Sequence, residues 1–293
     1  MSVPAEVSTR WASFHLSLPG PLEPFLAGHL LPFLERERAA ETLRRFFFIR
    51  YGVGQPHLRL RLLPRAGIAA ETLRARLEET VRAYVEHQPC PGAGYSVEAH
   101  PYSRSELYFG ETAATVYAEL LNEATSRLCL ELLLAPGADH WARRWLSLAA
   151  TLQVLLESSS GSEEELRCKL AESRAFARRA ASGAGFDLPN GPRPPHPSLD
   201  TALLTALSQL EPALAPHPTV RRISRLLRRA RRYVPEGAQV AIHALHLLCN
   251  KLGFSLHEEH EIFTALQRMR APRPCAQPGT AGRPADPITE DTE

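Results

Sequence analysis

The sequence predicts an α+β protein, and three observations carry that expectation. Four segments within the first hundred residues alternate apolar and polar side chains as half-buried strands do. Two segments with helical spacing of apolar residues separate them. From residue 111 to 270 the only periodic pattern is helical.

Residues 11–18 (WASFHLSL) alternate and read as the first strand, ended by Pro19, Gly20 and Pro21. Residues 22–38 place Leu22, Phe25, Leu26, Leu30 and Phe33 on one helical face. Residues 45–51 (RFFFIRY) form a second strand. The turn Gly52-Val53-Gly54 leads to a third at 57–63 (HLRLRLL). Residues 69–87 form an amphipathic helix with Leu73, Leu77, Val81 and Tyr84 inward, and 95–102 (YSVEAHPY) a fourth strand. This β-α-β-β-α-β order, with right-handed crossovers, gives a ferredoxin-like sheet whose first and third strands pair in the centre. We expect a mixed four-stranded sheet. Further helices are expected at 111–133, 138–157, 162–182, 199–211, 217–233, 236–252 and 256–270. The Gly/Pro-rich stretch 183–198 reads as a loop or lid. Residues 271–293, rich in Pro and poor in apolar residues, read as a disordered tail. The expectation is one catalytic domain over 1–270, with a sheet half (11–102) and a helical half (111–270).

Strand parity divides the sheet. Phe14, Leu16, Leu18, Leu58, Leu60 and Leu62 share one face and require the two helices. Trp11, Ser13, His15, His57, Arg59 and Arg61 share the other. The helical half needs a surface to pack on, and this polar face is the one left for it.

Composition narrows the function. The formal charge is +2, which argues against gross nucleic-acid affinity. No run of 18 apolar residues marks a membrane span, and the N-terminus lacks the pattern of a signal peptide, so a cytoplasmic protein is expected. The five cysteines are scattered and fit neither a metal set nor a disulfide framework. Of 34 basic residues only Lys169 and Lys251 are lysines. Seven arginines (Arg221, Arg222, Arg225, Arg228, Arg229, Arg231 and Arg232) crowd the helix at 217–233. Such a helix is a solvated basic face or a docking site for an acidic peptide or for RNA, for which Arg221, Arg225, Arg228 and Arg232 are the candidates. No Gly-rich phosphate loop and no zinc spacing occurs.

Three segments carry a family resemblance over roughly residues 10–267. FFFIRYGVGQPHLRLRL (46–62) resembles the signature strand pair of the C-terminal elimination domain of lantibiotic dehydratases. HALHLLCNKLGFSLHEE (243–259) is similar to the family's His- and Asn-bearing helix, with His246, Asn250 and Lys251 in register. WASFHLSL (11–18) matches the family's opening strand. Eliminating members carry a Glu and an Arg after the fourth strand, where they remove glutamate from glutamylated Ser or Thr. Aligned on the aromatic-Gly pair Phe109-Gly110, this chain has Ser105 and Tyr108 at those positions. That departure fits the branch of the family that works as thiopeptide pyridine synthases, joining two dehydroalanines in a formal [4+2] aza-cycloaddition.

The resemblance implies a substrate and roles. The substrate is a modified precursor peptide, leader plus core, and other thiopeptide maturation enzymes are expected partners. Neither membrane nor nucleic acid is. The reaction needs an amide tautomerised to an iminol-like azadiene, then loss of water and of the leader as a carboxamide. Positioned proton donors and acceptors meet that need, so no cofactor or metal is expected. Tyr108 and His246 are the candidate acids and Ser105 a hydrogen-bond partner of the reacting amide. Arg59 and Arg61, with His57, His15, Trp11 and Asn250, are the candidate substrate contacts. Two rival functions remain: glutamate elimination forming dehydroalanine, and a non-catalytic scaffold for leader peptides.

Overall fold

The computed structural model describes residues 11–51, 57–88, 94–102, 113–137, 141–183, 205, 209, 212 and 214–269. The strands are β1 (Ala12–Ser17), β2 (Leu43–Tyr51), β3 (His57–Pro64) and β4 (Ser96–Ala99), in the order β2-β3-β1-β4. The central pair is β1 and β3, as the crossover argument requires. All three pairings are antiparallel, which corrects the expected mixed sheet. The β1-to-β2 crossover leaves a gap one strand wide. β3 returns from β2 to fill that gap, so it runs against both neighbours.

Between β1 and β2 the chain forms α1 (Leu22–Phe25), a π-helical turn (Leu26–Leu30) and α2 (Leu31–Ala39); α3 (Ala70–Glu86) joins β3 to β4. These helices cover the apolar face. Phe14, Leu16, Phe46, Phe48, Leu58, Leu60, Leu62 and Val97 are buried against Phe25, Leu26, Leu30, Phe33, Leu73, Leu77 and Val81. Each such side chain contributes about 1.5–3 kcal/mol relative to exposure. Tyr84 is buried with them and sends its hydroxyl to the Pro21 carbonyl, 3.1 Å away, which satisfies its polar end.

The helical half contains α4 (Ala113–Leu133), α5 (Trp141–Ser159), α6 (Glu163–Gly183), α7 (Pro218–Tyr233), α8 (Gly237–Lys251) and α9 (Leu256–Met269). No described helix is long and apolar enough to cross a membrane. The helix expected at 199–211 lies almost wholly outside the described residues, although 205 and 209 are helical. The loop beyond residue 183 and the tail at 271–293 also lie outside them.

The two halves meet along the free edge of β2. Ser126 of α4 accepts the Phe48 N–H at 3.1 Å. The Asn250 amide of α8 bonds both the N–H and the carbonyl of Arg50, at 3.0 and 2.9 Å. Edge backbone that would otherwise invite another strand is closed by helix side chains. From that edge α4 also reaches the Trp11 end of the polar sheet face. There Glu123 takes the Arg45 guanidinium at 2.7 Å, and Arg45 lies over the Trp11 ring.

Helix α8 ends in a Schellman turn. Gly253 N–H bonds the Asn250 carbonyl and Phe254 N–H bonds the Cys249 carbonyl. Gly253 has φ +82, a left-handed conformation that favours glycine, and a Cβ there would stand 2.8 Å from the Arg50 guanidinium. Arg50 Nε caps the Lys251 carbonyl and Arg144 caps that of Leu252, while Glu23 on α1 pairs with both arginines. The C-terminal end of α8 is thus tied to both halves through charge.

Candidate functional site

The polar face of the sheet is a ring-and-guanidinium surface. Trp11 meets Phe47 and Tyr102 edge-to-face at 5.0 and 6.2 Å, Phe47 stands opposite Arg61 in the strand register, and the Arg61 guanidinium stands 5.7 Å from the Tyr102 ring. Trp11, Phe47 and Arg61 are buried. The Tyr102 hydroxyl donates to Glu119 of α4 at 3.1 Å.

Toward the other end of the strands, His15 stacks flat on His100 at 4.3 Å and stands 4.9 Å from His57. Arg59 Nε donates to His57 Nε2, and the Arg59 guanidinium lies 3.7 Å from the centre of the Tyr51 ring. The cross-strand register Ser13↔Arg61 and His15↔Arg59 brings these side chains together. Burial, then the charges of Arg61, His100, Arg59 and His57, hold His15 down to about 4, so its imidazole is neutral at neutral pH. Its Nε2 and the Ser13 hydroxyl are buried with no hydrogen-bond partner among the described residues. Buried polar atoms of this kind are a cost to the fold and a resource for a ligand.

His246 lies elsewhere, on α8 facing α6 and α9. Its Nδ1 is 2.7 Å from Glu259 Oε2, and the Phe176 ring packs 5.1 Å from the imidazole. His243 sits 6.3 Å away, buried and pushed down to about 3 by desolvation, with the charges of His246 and Lys251 adding to it. No described contact joins His246 to the polar sheet face. The link is indirect: Asn250, about one turn further along α8, holds the backbone of β2 beside Ile49 and Tyr51.

The remaining sequence-predicted residues fall as follows. His57, Arg59, Arg61, His15 and Trp11 gather on one face, as strand parity requires. Both ends of the Asn250 amide are engaged by the β2 backbone, which makes it a clamp between α8 and the sheet. Ser105 and Tyr108 lie outside the described residues. Arg221, Arg225, Arg228 and Arg232 form an exposed stripe on α7, with the Arg232 guanidinium over the exposed Tyr233 ring. Arg222 and Arg231 turn back to Glu123 and Glu165.

Two features escaped the sequence reading. Glu259 is the partner of His246, and nothing in its local pattern marks it among the glutamates at 258, 259 and 261. Lys251 is wholly buried, bonded to Asn122 and Thr125 at 2.8 Å each, and burial lowers it to about 7. Among the described residues no cluster of His, Cys, Asp or Glu is disposed to hold a metal ion. Two surface grooves open on the sheet half. One of about 330 Å³ touches the polar face only at Ser13 and His100; one of about 570 Å³ runs between α2 and α3, remote from the histidines discussed above.

Known proteins share this fold. The chain resembles the pyridine synthase TbtD from thiomuracin biosynthesis, with 17% identity and a TM-score of 0.59, covering 89% of this chain and 98% of that one. It resembles TsrL at 16% identity and TM-score 0.58, covering 88% and 93%. It also resembles the tRNA-dependent lantibiotic dehydratase MibB from Microbispora sp. 107891, at 17% identity and TM-score 0.56. That match takes in 91% of this chain, which spans only 28% of the dehydratase. No curated protein matches the chain. At these identities the structural likenesses establish the fold. The family model for the lantibiotic biosynthesis dehydratase C-terminal region matches residues 11–269, and the chain belongs to that family.

Proposed function

We propose that this protein is a thiopeptide pyridine synthase. It joins two dehydroalanines of a thiazole-containing precursor peptide and releases water and the leader as a carboxamide. The observation that carries the reading is the pair Ser105 and Tyr108, standing where eliminating members of the family have Glu and Arg. A chain without that pair lacks the groups that would remove glutamate. The likeness to a pyridine synthase over 98% of that enzyme's length supports the same reading.

The chemistry suits the residues at hand. A cycloaddition gains most from holding two alkenes in near-attack geometry, up to about 7–11 kcal/mol. Arg59 and Arg61, with the His15, His57 and Trp11 rings, offer donors and flat surfaces for an extended peptide. The unpartnered Ser13 hydroxyl and His15 Nε2 add hydrogen-bonding capacity on that face. Tyr108 and His246 serve as acids or bases and Ser105 as a hydrogen-bond partner of the amide. The arginine stripe on α7 takes the acidic leader.

The test is mass spectrometry of two peptides incubated with the purified protein. A bis-dehydroalanine thiazole peptide is expected to lose water and its leader and to gain the pyridine chromophore. If it is untouched while a glutamylated peptide loses glutamate, the protein is an elimination enzyme despite Ser105 and Tyr108. If neither changes but leader peptide binds, it is a scaffold.

A further inference from the structure

The pairing of His246 with Glu259 is placed where only one of its members can meet a substrate. The Glu259 side chain is 2% exposed and that of His246 19%. Among the described residues the Glu259 carboxyl has one hydrogen-bond partner, His246 Nδ1, 2.7 Å from Oε2. Its second oxygen, Oε1, is buried and has no partner among the described residues. A buried carboxylate satisfied on one side only is a poor way to pack two helices, because an apolar side chain of similar size would hold α8 to α9 without the desolvation cost. The arrangement is costly as packing and ordinary as the support of a working imidazole.

We infer that Glu259 is a positioning residue that fixes His246 as the Nδ1–H tautomer and presents Nε2 as the proton-accepting atom. The inference rests on the reading above, in which His246 moves protons. Its geometry does not depend on which peptide reacts. Ionised, Glu259 can only accept, and the proton between the two then belongs to Nδ1. The Phe176 ring limits rotation of the imidazole. Nδ1 is taken by Glu259 and the His246 side chain is 19% exposed, which leaves Nε2 as the nitrogen for a substrate.

The surrounding charges fit the assignment. His243 is held neutral by burial and does not compete for Glu259. Cys249, also facing Glu259, is a buried thiol pushed well above its ordinary value, so it is uncharged. Arg174 and Arg178 on α6 act on His260, not on Glu259. His246 is thus the hydrogen-bond partner available to Glu259, and their interaction opposes but does not cancel the upward push of burial on that carboxyl. When Nε2 takes a proton from a substrate N–H, the imidazolium keeps its Nδ1–H bonded to Glu259. The same proton returns from Nε2 to the leaving oxygen, and Glu259 gains none.

Nitrogen-15 NMR of histidine-labelled protein, with the His246 signals assigned by their loss in His246→Gln, tests the tautomer without turnover. The expected result is a protonated Nδ1, with its downfield proton lost in Glu259→Gln. On peptide substrate, Glu259→Gln is expected to lower kcat by about 10–100-fold, part of the 10²–10⁴ that one acid–base group supplies. KM should hardly change, and Glu259→Asp should restore part of the rate. A protonated Nε2 in the wild type overturns the inference. So does a Glu259→Gln protein that is less stable but turns over normally when folded, which would make Glu259 a packing residue. A clear Nδ1–H signal in a protein that converts neither peptide would sustain the tautomer and sink the proposed reaction.

Discussion

The Asn250 side-chain amide accepts the N–H of Arg50 and donates to its carbonyl, doing for the edge of β2 what a neighbouring strand would do. One side chain on α8 thereby fixes the helical half against the sheet, with Ser126 making the corresponding bond to Phe48 two residues away. Asn250→Ala leaves both groups of Arg50 without their partner in a partly buried seam. The expected loss is about 1–3 kcal/mol in denaturant unfolding, with faster hydrogen exchange at Arg50. Asn250→Asp keeps the acceptor, loses the donor, and should fall between. Unchanged exchange at Arg50 in Asn250→Ala would show that the clamp is dispensable.

Lys251 should make stability rise with pH just above neutrality. Burial lowers its ammonium from 10.5 to about 7, so between these values the unfolded chain holds a proton that the folded chain has lost. Stability therefore increases as pH climbs through 7. Above about 9 the buried thiols Cys129 and Cys249 act in the opposite sense, because folding keeps them protonated. The clean window is pH 7–9. Lys251→Met keeps the length of the side chain and removes the proton, and urea midpoints across that window should lose their upward slope. A slope that persists in the variant would assign it to another group.

Both lysines of the chain are interior, Lys169 at 5% and Lys251 at 0% exposure. The sequence offered a clue in their rarity among 34 basic residues, but rarity does not reveal depth. A compact ammonium can turn three donors toward clustered oxygens. Lys169 does so with Ser159 and Ser160, and Lys251 with Asn122 and Thr125. The strand-period parity of Phe14, Leu16, Leu58 and Leu60 made the sheet legible before the structure, because period two leaves no other face for them. The same parity assembled Trp11, His15, His57, Arg59 and Arg61. Asn250 and Glu259 were not legible, for a common reason. Each is defined by a partner far along the chain or across a helix seam, and helix periodicity says which face a residue occupies but not what stands opposite.

Acid should destabilise the fold earlier than carboxylate titration alone would. His15 and His260 are held down to about 4 and His243 to about 3, each chiefly by burial, against an ordinary value of 6.5. Between pH 6.5 and about 4 the unfolded chain takes up protons that the folded chain refuses. Stability therefore falls as pH drops through that window. Glu259, raised by burial, works the other way and blunts the slope. Urea midpoints at pH 7, 6 and 5 check this, and a flat profile would mean these imidazoles titrate freely in the folded protein.

The arginine stripe on α7 should bind the leader peptide as a field and not through any one contact. Arg221, Arg225, Arg228 and Arg232 are exposed on one face of a helix with no acidic residue, at intervals of three and four positions. Exposed pairs contribute under about 1 kcal/mol each, so a single Arg→Ala should change affinity less than about fivefold. Reversal of all four to Glu should abolish tight binding of a labelled acidic leader. The wild-type affinity should fall steeply between low salt and about 0.1 M, where screening acts over about 10 Å. Arg222 and Arg231 supply the control on the same helix. They pair with Glu123 and Glu165 of the helical half, so reversing them should lower stability and spare leader affinity relative to the stripe. Equal leader affinity in the wild type and the fourfold reversal, at low and high salt alike, would remove α7 from leader recognition and leave it a solvated face. Loss of binding on reversal of Arg222 and Arg231 alone, with the fold intact, would move the contact to the side of α7 that faces α4 and α6.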